Sequence, residues 1–161
     1  MAKPAAMTLR LSPHFELWEF VESDTARRHN IGNEPNAKTI EALRLVCGAV
    51  LEPTRLKFGT IRIVSGYRCA ELNKLVGGAV RSQHTKGQAV DFVVRNVPHM
   101  DVIRWMRHNT PYDQLILEFP DPNDPHKGWI HVSHHTGRLR REVLSATKDS
   151  DHKTKYDVLD P

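Results

Sequence analysis

The segment QHTKGQAVDF holds two residues suited to metal chemistry, His84 and Asp91, which stand seven positions apart. The histidine belongs to a glycine-containing loop, and the aspartate belongs to the run AVDFVV, whose β-branched residues are typical of a strand. Successive strand residues point to opposite faces, so Val90, Phe92 and Val94 share an apolar face and Asp91 points to the other. The loop can therefore bring an imidazole next to a carboxylate, and both groups bind divalent metals.

The same alternation places further polar groups on two strands closer to the C-terminus. In WIHVS, Ile130 and Val132 share the apolar face and His131 points the other way. In DQLILEF, Glu118 lies on the face opposite to the leucines. We therefore expect Asp91, His131 and Glu118 to meet on one face of one sheet.

Two neutral imidazoles and one carboxylate form a ligand set found in catalytic zinc sites, where the fourth tetrahedral position is open to water. The set predicted here is His84, Asp91 and His131. Zinc lowers the pKa of such a water to about 7, and a nearby carboxylate can accept its proton during attack on an amide. We predict Zn²⁺ as the cofactor and Glu118 as the general base.

Five segments of the chain resemble the successive motifs of one family. They are SGYRC, LNKLVGG, SQHTKGQAVDF, DQLILEF and GWIHVS. From Leu11 to Ser133 the sequence is similar to the zinc D-Ala-D-Ala carboxypeptidases, which are related to VanY-type and VanX-type enzymes, phage endolysin peptidases and the hedgehog fold. This resemblance implies an α+β fold in which a small antiparallel sheet carries the metal site and helices flank the sheet.

The resemblance also implies roles for individual residues. It places His84, Asp91 and His131 at the metal-ligand positions. It assigns Arg68 to the arginine that engages substrate, and Ser82 to a serine that lines the substrate pocket.

The general base is the residue at which this chain departs from some relatives. They carry an acidic residue three positions before the last histidine, where this chain has Gly128. We favour Glu118 as the base, with Asp124 and His126 of the intervening loop as alternatives. Glu118 could instead form a structural ion pair on a strand face, and Arg68 could likewise pair with a structural carboxylate.

The helices and loops that must position these residues can be predicted from the spacing of apolar residues and from prolines. Helical spacing of apolar residues predicts the longest helix from Asn36 to Leu51, ended by Pro53, and another helix from Pro98 to about His108. The proline- and aspartate-rich segment PDPNDPHKG is predicted to connect the last two strands. We expect a single zinc peptidase domain over residues 1–144 and a polar, flexible tail over residues 145–161.

Composition excludes several other classes. The apolar runs are shorter than the roughly 20 residues of a membrane-spanning helix, so we expect no membrane insertion. The net charge is only +4 and the basic residues are scattered, so we expect no nucleic-acid partner. The first residues lack the apolar segment of a secretory signal, which predicts synthesis in the cytoplasm without a signal peptide. Cys47 and Cys69 are too few for a disulfide framework or a thiolate zinc site.

The resulting functional hypothesis is a monomeric zinc peptidase that hydrolyses peptide bonds of bacterial peptidoglycan stem peptides or crosslinks. A phage or prophage endolysin that acts on the cell wall after release fits this hypothesis. One alternative is a catalytically inactive, zinc-bearing wall-binding or virion structural module. Another is an iron-dependent oxygenase, since those enzymes also use two histidines and one carboxylate.

Overall fold

A computed structural model describes residues 8–161 as a mixed α+β fold built on one large sheet. The helices are α1 to α6, in chain order Leu17–Val21, Asp24–Arg28, Ala37–Val46, Glu52–Phe58, Ala70–Leu75 and His99–Asn109. The strands are β1 to β8, in chain order Arg10–Ser12, Phe15–Glu16, Ile61–Ser65, Ala89–Val94, Gln114–Glu118, Trp129–Ser133, Glu142–Lys148 and Thr154–Val158. The chain also forms a π-helical turn at Cys47–Leu51 and a 3₁₀ turn at Gln83–Lys86.

The large sheet has six strands in the order β3-β4-β6-β5-β7-β8. Every neighbouring pair is antiparallel except β5 and β7, which run parallel. The expectation of an α+β fold with an antiparallel sheet and flanking helices is therefore confirmed in its main features. β1 and β2 form a separate two-stranded sheet.

The core lies between one face of the large sheet and the helices, and it follows the predicted alternation. Val90, Phe92, Leu115, Ile130 and Val132 are all fully buried in it. The helical side of the same core comprises Leu43, Val46, Val50 and Leu51 of α3 and the π-helical turn, and Val102, Ile103 and Met106 of α6. The opposite face of the sheet is thus free to carry polar side chains.

The longest helical segment continues past Pro53, where the sequence predicted its end. The Glu52 N–H donates to the Cys47 carbonyl, five residues back, so the chain passes through a wider π-helical turn before α4. Pro53 then lies in the first turn of α4, where a missing N–H is tolerated. A local widening of the helix therefore removes the expected conflict with proline.

The C-terminal residues also differ from the prediction of a flexible tail over 145–161. The expected boundary falls inside β7, and β8 lies entirely beyond it. The polar composition was misleading because all five residues of β8 are exposed, so this edge strand needs no apolar alternation. No helix within residues 8–161 has the length and apolarity needed to cross a membrane.

Candidate metal centre

Asp91 and His131 meet because β4 and β6 are hydrogen-bonded neighbours in which these two residues are directly paired. Their side chains point to the same face, as the alternation predicted. His131 Nδ1 lies 2.8 Å from Asp91 Oδ1, and both side chains are buried. Sheet register therefore fixes this half of the centre.

His84 reaches the same place from the 3₁₀ turn that precedes β4. The hydroxyl of Ser82 accepts a hydrogen bond from the His84 backbone N–H and caps the turn. His84 Nδ1 lies 2.7 Å from the carbonyl oxygen of Gly66 and donates to it. This hydrogen bond orients the ring and leaves the Nε2 lone pair facing Asp91 and His131.

The three side chains form a compact group of potential metal ligands. One donor atom from each of His84, Asp91 and His131 lies within 4.8 Å of the others, and all three residues are buried. His84 Nε2 is 3.3 Å from His131 Nδ1 and 3.4 Å from Asp91 Oδ1. Ligands at 2.0–2.1 Å from a tetrahedral zinc ion lie about 3.3 Å from one another. The donor types and the two separations that involve His84 therefore fit tetrahedral zinc, whereas the 2.8 Å between His131 Nδ1 and Asp91 Oδ1 is shorter than that geometry requires.

Electrostatics keeps the carboxylate of the group ionised. Burial by itself raises the pKa of Asp91, but the neighbouring imidazoles of His84 and His131 outweigh burial and hold the pKa of this carboxyl well below its usual range. Asp91 is therefore a carboxylate at neutral pH, the form that binds a cation.

Arg68 lies at the β3 side of this group. Its Nη2 is 3.5 Å from Asp91 Oδ2, and its other nitrogens donate to Ser65 Oγ and Asn73 Oδ1. The guanidinium is held in a fixed position and lines the same cleft as the three potential ligands. Ser82 also lines this cleft, and its contact with the His84 backbone gives it a structural role as well.

Glu118 lies on β5, beside His131 but outside the group of three. Its Oε1 is 3.9 Å from His131 Nδ1, and its side chain is largely buried. Burial, and after it the negative charge of Asp91, raises the pKa of Glu118 above its usual value. A raised pKa suits a carboxylate that must accept a proton and later return it.

Gly128 cannot carry an acidic side chain in this backbone conformation without a shift of its neighbours. Its φ is +81°, and a Cβ there would come within 2.0 Å of the Glu118 carbonyl oxygen. The alternative base His126 lines a different cavity of about 830 Å³ next to His99, and its backbone N–H donates to Asp124 Oδ1. Of the three predicted candidates for the base, only Glu118 lines the cleft together with the three potential ligands.

The cleft around this group has a volume of about 1090 Å³ and extends along the polar face of the sheet. One end is formed by the residues near α5, including Arg68 and Gly78, and the other end by Lys148 and Tyr156 of the β7–β8 hairpin. Sequence reasoning missed the contribution of this hairpin.

A second feature absent from the sequence analysis is the carboxylate that anchors the His84 turn. Asp113 is 1% exposed and accepts hydrogen bonds from the Gln83 amide at 3.0 Å and from Arg140 Nε at 3.0 Å. The Arg140 backbone N–H also donates to it, at 2.8 Å. The one available signal was an aspartate directly before the strand QLILE, and no local pattern names its partners.

The fold places a buried group of two histidines and one aspartate on the polar face of a mixed sheet, and two imidazoles with one carboxylate form a ligand set of catalytic zinc sites. A family model described as Peptidase M15 matches residues 13–133 of the chain. The chain therefore belongs to the M15 zinc peptidase family, which includes the VanY-type D-Ala-D-Ala carboxypeptidases. The search of the curated proteins found no match.

Proposed function

We propose that this protein is a zinc-dependent peptidase that hydrolyses peptide bonds in the stem peptides or crosslinks of bacterial peptidoglycan. The observation that carries the proposal is the convergence of His84, Asp91 and His131 in a cleft that also contains Glu118. Membership of the M15 family supports the same reaction class. We further propose a phage or prophage endolysin that acts on the cell wall after release.

The three predicted ligands, Glu118 and Arg68 have separate roles in this proposal. Zinc held by the three ligands would lower the pKa of water to about 7 and polarise the scissile carbonyl. The Glu118 carboxylate accepts the proton of the attacking water and returns it to the leaving amine. Arg68 holds a carboxylate of the substrate through its fixed guanidinium, which suits a bidentate contact.

The test combines metal analysis with digestion of purified peptidoglycan. One zinc per chain and the release of new amino termini would support the proposal. Iron with oxygen consumption would instead support an oxygenase, and zinc without any cleavage would support an inactive zinc-bearing module. Mass spectrometry of the muropeptides before and after digestion identifies the bond that is cleaved.

The role of Glu118 is tested by two substitutions that leave the three ligands in place. Glu118→Ala and Glu118→Gln are expected to retain zinc and to lower the rate of hydrolysis by about 10²- to 10⁴-fold, the usual contribution of a general base. Glu34→Gln is the matched control, because Glu34 is exposed and outside the cleft. Near wild-type hydrolysis by both Glu118 variants would show that this residue is not the base.

A further inference from the structure

The β7–β8 hairpin lies outside residues 13–133, the part of the chain that matches the family model. β7 pairs in parallel with β5, the strand that carries Glu118, and β8 is the edge strand beyond it. The hairpin therefore widens the polar face of the sheet on the side of Glu118. Its residues Lys148, Thr154 and Tyr156 line the same cleft as the predicted metal ligands.

Sheet register places Tyr156 in one row with Glu118. Glu118 is paired with Ala146, and Ala146 is paired with Tyr156. Directly paired residues point to the same face, and neighbouring strands lie about 4.8 Å apart, so the backbones of Glu118 and Tyr156 are about 10 Å apart. Only the methyl group of Ala146 lies between their side chains.

Tyr156 lines the cleft and is paired with Ala146 on the same face of the sheet. Ala146 is fully buried although it belongs to the cleft face, because the larger side chains beside it cover its methyl group. Burial, and after it the negative charges of Glu118 and Asp91, raises the pKa of the Tyr156 phenol above its usual value.

Within residues 8–161 the Tyr156 hydroxyl has no hydrogen-bond partner, and the residue is 54% exposed. A phenylalanine would cover Ala146 equally well. What the hydroxyl adds is a hydrogen-bond donor that faces the cleft.

Tyr156 and Arg68 flank the centre from opposite sides. Arg68 contacts Asp91 from the side of β3, whereas Tyr156 lies beyond Glu118 at the β8 edge. A peptide that contacts both residues must pass over the ligands and the base. Such a peptide would contact the cleft on both sides of its scissile bond.

We propose that Tyr156 is a substrate-binding residue whose phenol donates a hydrogen bond to a carbonyl or carboxylate oxygen of the peptide, on the side of Glu118 away from Arg68. This inference rests on the proposed function, since it assumes that the cleft binds a peptide. It assigns to the C-terminal hairpin a part of the substrate site that the family match does not cover.

The experiment compares steady-state hydrolysis of a purified, crosslinked muropeptide by zinc-loaded wild type, Tyr156→Phe and Tyr156→Ala. Tyr156→Phe is expected to raise KM by about 2- to 10-fold, the equivalent of one hydrogen bond, and to leave kcat unchanged. Tyr156→Ala is expected to raise KM further, because it also removes the ring. Lys155→Ala is the control, since Lys155 lies on the same strand but points to the opposite face.

Each outcome has a distinct meaning. A KM for Tyr156→Phe equal to that of the wild type, with the wild type active, would overturn the inference and leave the proposed function standing. An equal rise in KM for Lys155→Ala would also overturn it, because the effect would then come from the hairpin's stability. If the wild type binds zinc but cleaves no muropeptide, both the proposed function and this inference are contradicted.

Discussion

At the scale of single residues, the geometry of the candidate metal centre depends on neighbouring residues that position His84 and Glu118. The Gly66 carbonyl orients His84, and Ser82 caps the turn that carries it. Gly128 allows the chain to pass close to the backbone of Glu118. These residues contribute geometry, whereas the predicted ligands and Glu118 would contribute the chemistry.

A first prediction concerns Gly128→Ala. The positive φ costs alanine about 1–2 kcal/mol, and the added Cβ must push against the carbonyl of Glu118. We expect a loss of about 1–3 kcal/mol in the free energy of unfolding, measured in urea, together with reduced hydrolysis. Gly32→Ala is the control, since within residues 8–161 no atom other than those of Gly32 and its two chain neighbours lies within 4 Å of the new Cβ. Equal stability of both variants would contradict the structural role of Gly128.

At the scale of elements, the turn that carries His84 is fastened to the sheet from outside the centre. Asp113 lies just before β5 and binds both Gln83 of the turn and Arg140 of the segment before β7. Three parts of the chain that are distant in sequence therefore meet at one buried carboxylate.

A second prediction follows for Asp113→Asn. Breaking a buried, hydrogen-bonded ion pair is costly, and because Arg140 is half exposed we expect a loss of about 2–3 kcal/mol at pH 7. The variant should also bind zinc more weakly, by about 10-fold or more, as loss of support behind a ligand does. Urea unfolding and zinc titration measure the two effects. Unchanged zinc affinity would show that the 3₁₀ turn is held without this anchor.

The same residue predicts a pH dependence. Burial by itself raises the pKa of Asp113, but hydrogen bonds from Arg140 and Gln83 hold it below its usual range. A lowered folded-state pKa stabilises the protein above the unfolded value of about 3.9, and this contribution is lost as the pH falls below it. The stability difference between wild type and Asp113→Asn should therefore shrink from pH 7 to pH 3. A constant difference would contradict this assignment.

At the scale of the whole molecule, the two faces of the large sheet have different roles. Its apolar face packs on the helices and forms the core, and its polar face carries the three potential ligands, Glu118 and the cleft. Because the ligands come from different elements, a bound ion would crosslink the 3₁₀ turn, β4 and β6.

A fourth prediction therefore concerns metal binding and thermal stability. A ligand that binds only the folded state at 100 times its Kd adds about 2.7 kcal/mol. For a chain of this size, that raises Tm by about 5–10 °C. Calorimetry with zinc and with a chelator should show this difference for the wild type, and His131→Ala should abolish most of it. A Tm that does not respond to zinc would contradict the proposed metal site.

The sequence by itself determined the side chains that meet on the polar face. Alternation within AVDFVV, DQLILEF and WIHVS is local, and it predicted that Asp91, Glu118 and His131 share a face. Strand register then brought them together, as the pairing of Asp91 with His131 shows. The residue types of the predicted ligands, and the face of the strand to which Asp91 and His131 point, could therefore be predicted without knowledge of the fold.

Only the tertiary structure decided what surrounds them. The parallel pairing of β5 with β7 brings Tyr156 into the row of Glu118, and the chain path brings Arg140 and Gln83 to Asp113. Neither contact leaves a periodic signal, because each joins residues far apart in a sequence that is locally polar. Local preferences do not encode long-range pairing. Only the tertiary structure therefore placed Tyr156 in the cleft and Asp113 behind the His84 turn, whereas the central residues of the site were evident from the sequence.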